Sequence, residues 1–472
     1  MPLPTRPRTP WPEPPPFPVP PPGGDSLQTA LMTLVISAVL VAMNFNGTFA
    51  LLLPVLALAL VLFSRGWDDH GLIFCALIIL SFSYHYSLGQ IVGLLTVMRV
   101  VLLALLLIAA VKSLARRLEY GAAAAAFLLF FLLSAASSVL FSMYPQISLL
   151  KVGFAGFFLL GVMLAAGGTG RFPYALLGAV IAVAVLSVAL FFINPSVGYA
   201  YSQDPNAAFT ASGRYSGVMN HPQLLACLLA VNIPLLLFMY VSQRGLPSAL
   251  SLLGLVCAFC INAISSSRTA MLATLVAVGL SVFLYARAAV DQESARKTKT
   301  VFGLCILLLL AGGIAFSEQI ATFVRKTEDV GAGISLSGRE EIIFASWNGF
   351  LDRPLLGHGF QVPSPFTEHG ASTFGLTSEA TNIEKCFFLT MLLEEVGLVG
   401  TLAFLLGLFL LYRHWLRKGA VVSVAAMTAF LMVNVGEACI LSPSSLGGLC
   451  WLSVFAAHNL TFRDPPPDHG PR

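Results

Sequence analysis

The chain has 472 residues, of which 57% are hydrophobic and only 10% are charged. Soluble domains are typically about half apolar and about a quarter charged, so this composition excludes a soluble protein and indicates an integral membrane protein. The net charge is only +4 and is spread along the chain, which excludes the concentrated basic face that nucleic-acid binding requires.

The first 24 residues contain twelve prolines and no apolar run. A cleaved signal peptide needs an apolar core, so residues 1–24 are predicted to form a disordered cytoplasmic tail with polyproline II character. The last residues, 462–472, are predicted to be a second cytoplasmic tail.

Fourteen apolar runs lie between the two tails, most of them about 20 residues long, the length that crosses a membrane as a helix. Their limits are 26–45, 48–64, 71–87, 91–111, 121–142, 148–167, 172–193, 223–242, 247–264, 268–287, 300–317, 386–412, 419–438 and 446–461. The second, ninth and last runs are short. We therefore expect an all-α polytopic protein with 12–14 transmembrane helices, built from an N-terminal bundle (25–193) and a second membrane region (194–461).

The basic residues indicate how the chain is oriented, because lysines and arginines are retained on the cytoplasmic side. With both termini in the cytoplasm, 17 of the 26 basic residues lie inside. Nine basic residues oppose this trend: Arg99, Lys151, Arg214, Arg268, Arg325, Lys326, Arg339, Arg353 and Lys385.

In this orientation two long segments, 194–222 and 318–385, face outward. Functional residues are expected in them, because long loops tend to be functional. The second contains a helix signal. Ser337-Gly338-Arg339-Glu340 is a capping-box pattern, and apolar residues then recur at helical spacing up to Pro354. We expect an amphipathic helix on the outer membrane face.

Arg214, Arg268 and Arg339 lie beside apolar stretches on the outer side, where an unpaired charge is costly. One interpretation is that such arginines pair with Glu394, Glu395 or Glu437 inside the last spans. The other is that they converge to bind phosphate oxygens bidentately. At an outer membrane face, such a ligand would be a lipid-linked pyrophosphate.

Four short motifs follow one another in the second half of the chain. They are Gly213–Gly217 with His221-Pro222-Gln223, Ser265–Ala270, Gly338-Arg339 with Pro354–Phe360, and Glu395–Gly400. In this order, with a long outer loop before the last, they resemble the O-antigen ligase and Wzy-type polysaccharide polymerase superfamily. The resemblance covers roughly residues 200–440, and the earlier spans match only in hydropathy.

The resemblance implies a glycosyltransferase of the bacterial inner membrane that uses an undecaprenyl-diphosphate-linked oligosaccharide at the periplasmic face. Its diphosphate-binding arginines map onto Arg214, Arg268 and Arg339, and His221 is expected to help bind substrate. The acceptor is a growing glycan or lipid A core, and other polysaccharide-assembly proteins are candidate partners. Transfer inverts the anomeric carbon, with arginines in place of a metal and no cofactor.

The chain departs from the family at the end of the large loop. Ligases carry a histidine about eleven residues before the glycine matched by Gly397, and that register here holds Cys386. Glu384 or His369 is then the expected general base, with Glu384 favoured by its approach to the outer membrane face. The missing histidine shifts the prediction from a ligase toward a polymerase of exopolysaccharide, capsule or O-antigen.

Two alternatives stay open. One is a ligase that transfers glycan to lipid A core or protein, and the other, from a different class, is a polysaccharide flippase. A transporter is expected to show repeated halves and broken helices at the midplane, whereas here no repeat is visible and the unusual charges gather at the outer face.

Overall fold

A computed structural model describes most of the second half of the chain and parts of the first. The described ranges are 24–44, 120–165, 171–195, 215–219, 221–265, 267–288, 339–366, 387–443 and 446–461, with the single positions 73, 76, 79, 198, 296, 300, 303 and 385. The N-terminal tail before residue 24, the C-terminal tail 462–472 and most of the two outer segments lie outside them.

All eleven elements in these ranges are helices. They are α1 (Gly24–Asn44), α2 (Gly121–Phe141), α3 (Pro145–Ala165), α4 (Phe172–Ile193), α5 (Pro222–Ser242), α6 (Leu246–Ile264), α7 (Arg268–Ala288), α8 (Arg339–Asp352), α9 (Phe388–Lys418), α10 (Val421–Gly436) and α11 (Leu446–Thr461). The predicted all-α fold is therefore confirmed.

Ten of these helices coincide with predicted spans, and seven of them are long and apolar enough to cross a membrane. α1, α10 and α11 contain shorter apolar helical stretches. The predicted spans 48–64, 71–87, 91–111 and 300–317 lie outside the described residues except for a few single positions. The multi-pass character of the chain is confirmed.

Helix α5 is the centre of the bundle. It packs against α4, α6, α7, α10 and α11, and its residues are buried on every side. A helix that is apolar all round is stable only when neighbours surround it, and the sequence of α5 is of that kind. Lipid contact therefore falls to the outer helices: Leu132 of α2 and Phe409 of α9 are among the large apolar side chains exposed on the surface.

The helix directions bring several termini to one end of the bundle. α5, α6 and α7 are joined by turns of three residues each, so α5 and α7 begin at the same end. α9 and α10 are joined by Gly419 and Ala420, and the last residue of α10, Gly436, packs against Thr269 at the start of α7. The starts of α5, α7 and α9 therefore share one end, which we call the motif end.

Helix α8 confirms the helix that the capping-box pattern predicts. It runs from Arg339 to Asp352 and ends just before Pro354. Its inner face lies against α9. The apolar side chains of Phe344, Trp347 and Leu351 stay exposed on its outer face, the pattern of a helix that lies on a membrane surface.

Candidate functional site

Helix α9 is interrupted at Gly397, whose backbone has φ 65° and ψ −170°. A continuous α-helix would join the N–H groups of Leu398 and Val399 to the carbonyls of Glu394 and Glu395. The conformation of Gly397 prevents both hydrogen bonds. Two N–H groups and two carbonyls inside the helix therefore need other partners.

The loop after α8 supplies these partners through its own backbone, and we call this pairing the kink junction. The N–H groups of His358 and Gly359 donate to the carbonyls of the two glutamates, with N to O distances of 2.9 Å. The carbonyls of Pro354 and Leu355 accept from the two N–H groups beyond the kink, at 2.8 and 3.2 Å. These four backbone groups are thereby satisfied.

The kink junction joins two of the motifs that carry the family resemblance, Pro354–Phe360 and Glu395–Gly400. Both contain glycines with positive φ at the contact: Gly357 has φ +70° and Gly397 has φ +65°. A side chain on Gly357 would lie 2.5 Å from the carbonyl of Glu395. The glycines of both motifs are therefore required by close backbone contact.

We expect Gly397→Ala to lower the thermal stability of the purified protein strongly. The new Cβ would lie 2.3 Å from the carbonyl of Leu355, and this φ and ψ combination is almost restricted to glycine, at a cost of about 1–3 kcal/mol for other residues. Forcing a methyl group against packed atoms costs a further 1–3 kcal/mol, roughly.

The matched control for this change is Gly279→Ala in α7, because among the described residues no atom beyond the helix's own backbone lies within 4 Å of a Cβ added there. That variant should melt at or slightly above the parent temperature, since alanine favours a helix over glycine. Equal melting temperatures for the two variants in detergent would show that the kink junction is not rigid.

Serines of α2 and α3 hold the loop just beyond the kink junction. Phe360 donates its N–H to Oγ of Ser138, at 3.3 Å, and its carbonyl accepts from Oγ of Ser148, at 2.8 Å. The phenyl ring of Phe360 is buried against Phe130 and Phe131. The loop is therefore part of the protein core at the motif end.

Basic residues that oppose the positive-inside trend also anchor this loop. Nζ of Lys151 donates to the carbonyl of Gln361 at 2.6 Å. Nη1 of Arg353 donates to the carbonyl of Phe141, the last residue of α2, at 2.9 Å. Lys151 and Arg353 thus have structural roles.

Lys385 forms a buried charged group with Glu394 and Glu395, which we call the Lys385 triad. Its Nζ lies 3.0 Å from Oε2 of Glu394 and 3.0 Å from Oε1 of Glu395, and all three side chains are almost wholly buried. Burial alone would lower the pKa of Lys385, but the two carboxylates raise it overall above its ordinary value. Lys385 therefore stays charged.

The Lys385 triad identifies a partner of two acidic residues inside α9. The sequence suggests arginines as partners of Glu394 and Glu395, and among the described residues both carboxylates form an ion pair with Lys385. The sequence shows Lys385 before the span and the two glutamates within it, and the fold brings the three charges together. The available signal was a basic residue on the outer side, directly before a span that contains two adjacent acidic residues.

His358 is buried in the loop. Its Nε2 lies 3.0 Å from the carbonyl of Gly349 and 3.5 Å from Oδ2 of Asp352. Burial lowers the pKa of His358 below its ordinary value, so the ring is neutral at pH 7 and donates its Nε2 proton to Gly349. This hydrogen bond ties the end of α8 to the kink junction.

The segment that leads into α5 carries the first motif. Tyr215 is buried and its hydroxyl donates to the carbonyl of Ser187 in α4. Gly217 has φ +59°, and a side chain there would lie 2.5 Å from Oγ of Ser187. His221 is exposed and caps α5, where its Nδ1 accepts from the N–H of Gln223 at 3.3 Å. His221 therefore caps α5, independently of its predicted role in substrate binding.

Arg268 is the first residue of α7 and its side chain is exposed at the motif end. Ser267 precedes it, and the Oγ of that serine accepts from the N–H of Ala270 at 3.4 Å. Arg268 and His221 therefore lie at the same end of the bundle, on the neighbouring helices α7 and α5.

The remaining predicted site residues are described less fully. Arg339 is the first residue of α8. Arg214, His369 and Glu384 lie outside the described residues, as does Cys386. Their immediate neighbours Tyr215 and Lys385 are both buried at the motif end.

Comparison with known proteins agrees with the motifs. Residues 253–383 match the family model described as O-antigen ligase. No curated protein matches the chain significantly. The resemblance predicted from the motifs is therefore confirmed: over residues 253–383 this multi-pass membrane protein is similar to the O-antigen ligase family.

Proposed function

We propose that the protein is an inverting glycosyltransferase that polymerises undecaprenyl-diphosphate-linked oligosaccharide repeats. The observation that carries this proposal is the grouping of the family motifs at one end of the bundle, described above. Arg268, His221 and the kink junction all lie there, and the residue after Arg214 and the residue after Glu384 are anchored there as well.

The motif end is suited to an anionic donor. α5 and α7 both begin there, and the aligned peptide dipoles give a helix start a partial positive charge. Arg268 adds a full positive charge on an exposed side chain. Arg214, and Arg339 at the start of α8, are proposed as the other arginines of the diphosphate site.

The proposed reaction needs one nucleophile and one proton acceptor. The acceptor hydroxyl attacks the anomeric carbon from the face opposite the diphosphate and forms the new C–O bond. The old C–O bond breaks, and its electron pair goes to the diphosphate oxygen, where the arginines stabilise the charge. The hydroxyl proton passes to Glu384, or to His369 if that residue is the base.

A polymerase is favoured over a ligase because Cys386 stands at the register where ligases carry histidine. The ligase remains the second candidate, since the matching family model is described as O-antigen ligase. A ligase would transfer the finished glycan to lipid A core or protein.

The motif end is proposed to face the periplasm, with both termini in the cytoplasm and the protein in the bacterial inner membrane. The opposite end supports this orientation, because it carries basic residues on helix ends and turns, where the positive-inside rule expects them. They are Arg171, Arg244, Arg413, Arg417 and Lys418.

If the motif end faces the periplasm, the variant Phe366→Cys should react with a membrane-impermeant thiol reagent in intact spheroplasts. Phe366 is exposed in the loop after α8, whereas Ser364 in the same loop is buried and unsuitable. A cysteine at Lys418 is the matched control and should react only after lysis. The reverse pattern would place the motif end in the cytoplasm.

A direct assay tests the proposed activity. Purified protein in lipid is mixed with undecaprenyl-diphosphate oligosaccharide, and the products are separated by size. Longer lipid-linked chains are expected. Transfer to an added lipid A core acceptor instead would establish the ligase, and movement of intact substrate across sealed vesicles with no new bond would establish transport.

A further inference from the structure

We propose that an anionic phospholipid binds in a groove at the end of the bundle opposite the motif end. The groove, which we call the α1–α6 groove, is bounded by Leu27 and Leu34 of α1, Tyr174 and Ile181 of α4, and Pro247 and Leu250 of α6. This inference goes beyond the proposed function and does not depend on it, because these residues take no part in the diphosphate site or in the transfer chemistry.

The packing of three helices forms the α1–α6 groove. α4 packs against both α1 and α6, whereas in the described part of the chain α1 and α6 do not pack closely against each other. α4 is therefore the floor of the groove, and the other two helices are its walls. A side chain on Gly178 would collide with the carbonyl of Ala30, so the backbones of α4 and α1 are in close contact. This contact holds one wall in place.

The α1–α6 groove is apolar and runs along the helices. Its exposed lining is apolar, and it holds about 410 Å³ of space that protein atoms do not fill, part of it open to the outside. The floor from Tyr174 to Ile181 is about 10 Å long, at about 1.5 Å per helical residue. Leu31 on the α1 wall is exposed. A hydrocarbon chain that lies parallel to the helices would cover this apolar surface, which is favourable.

Positive charge gathers where the groove meets the end of the bundle. α1, α4 and α6 all begin there, and the peptide dipoles give each helix start a partial positive charge. Arg171, which is half-buried, directly precedes α4, and the exposed Arg244 lies in the turn before α6. The two arginines come a few positions before the lining residues Tyr174 and Pro247. Asp25 in the first turn of α1 offsets one of the two charges, so the formal charge here stays positive.

A phospholipid carries the two chemistries in the order in which the groove presents them. Its acyl chains lie along the membrane-spanning helices, and its phosphate lies at the depth of the helix ends. Basic pockets between transmembrane helices bind anionic head groups, and arginine can bind two phosphate oxygens at once. A free phosphate would leave the apolar groove uncovered, and a neutral hydrocarbon would leave the arginines unused. The combination therefore favours an anionic phospholipid.

Native mass spectrometry of the full chain in detergent tests the proposal. The protein is titrated separately with dioleoyl phosphatidylglycerol, dioleoyl phosphatidylcholine and inorganic phosphate. One phosphatidylglycerol should bind at least about tenfold more tightly than phosphatidylcholine, because each nearby arginine strengthens the binding of an anionic head group. Equal affinity for the two lipids would overturn the proposal. So would binding of inorganic phosphate as tight as that of phosphatidylglycerol, which would indicate a phosphate site without a lipid.

Two variants test the two halves of the site. The double variant Arg171→Gln, Arg244→Gln should lose the preference for phosphatidylglycerol. Leu250→Trp enlarges a half-buried side chain of the α6 wall and should weaken the binding of both lipids at least about tenfold, because less of the acyl chain is buried. Full preference in the double variant, or unchanged affinity in Leu250→Trp, would contradict the proposed site.

The matched control is the double variant Arg413→Gln, Arg417→Gln. It removes the same charge from exposed residues at the same end of the bundle, on α9, which in the described part of the chain packs against α2, α8 and α10. It should keep the preference for phosphatidylglycerol. Loss of the preference in this control to the same extent as in the other double variant would show that the lipid responds only to the overall charge of this end.

A second measurement needs no variant and so does not depend on how a variant folds. The parent protein in lipid vesicles is cross-linked with phosphatidylglycerol that carries a photoactivatable group on its acyl chain, and the labelled peptides are identified. Labelling of α1, α4 and α6 should exceed that by the matching phosphatidylcholine probe, whereas labelling of α9 should not. No such excess would overturn the proposal. Neither measurement involves glycan transfer, so failure of the proposed function would leave this inference standing.

Discussion

Glu384→Gln should lower turnover by at least about a hundredfold while donor binding persists. An acceptor hydroxyl is a weak nucleophile at neutral pH, and a positioned proton acceptor is typically worth about 10²–10⁴ in rate. Glutamine keeps the shape of the side chain and removes the carboxylate. The measurement is kcat and KM with a lipid-linked oligosaccharide donor, which separate the loss of catalysis from a loss of binding.

Two controls accompany this prediction. Cys386→Ser changes the residue at the register of the ligase histidine and should have a mild effect, because a thiol at that place has no part in the proposed proton transfer. His369→Ala should also retain activity. Nearly full activity of Glu384→Gln together with an inactive His369→Ala would identify His369 as the base.

Arg214→Lys and Arg268→Lys should each reduce glycan output by at least about tenfold, although both keep the charge. A guanidinium group can bind two phosphate oxygens at once, whereas an ammonium group is a point charge, and the loss of a donor to a developing charge is costly. Arg268 is an exposed residue at the start of α7. Product length and amount, normalised to protein expression, are the measurement.

The matched control is Arg244→Lys, which makes the same exchange at an exposed arginine of the opposite end. It should leave glycan output at the parent level. Output near the parent level from both Arg214→Lys and Arg268→Lys, at normal expression, would show that these arginines are structural.

The basic residues that oppose the positive-inside trend thus fall into different groups. Lys151, Arg353 and Lys385 bind carbonyls or carboxylates around the loop after α8. Arg268 lies exposed at a helix start in the same region. A basic residue on the outer side therefore indicates a structural or functional role. The sequence pattern does not separate residues that anchor the fold from candidates for ligand binding.

The sequence by itself determined the membrane class, most described spans to within a few residues, and the helix α8 with its end before Pro354. These features depend on local properties of the chain: the apolar length that crosses a bilayer, the capping pattern, and the inability of proline to continue a helix. The order of the motifs also identified the family that residues 253–383 match.

Only the tertiary structure decided which segments meet. The kink junction is made of main-chain hydrogen bonds between residues about 40 positions apart in the sequence. Such bonds leave no pattern of side chains in the sequence, except for glycine at the positions where the two backbones touch. The partner of Glu394 and Glu395 was decided in the same way. Charge alone allows any basic residue at the outer side to pair with them, and the fold brings the ammonium group of Lys385, just before α9, within 3.0 Å of both carboxylates.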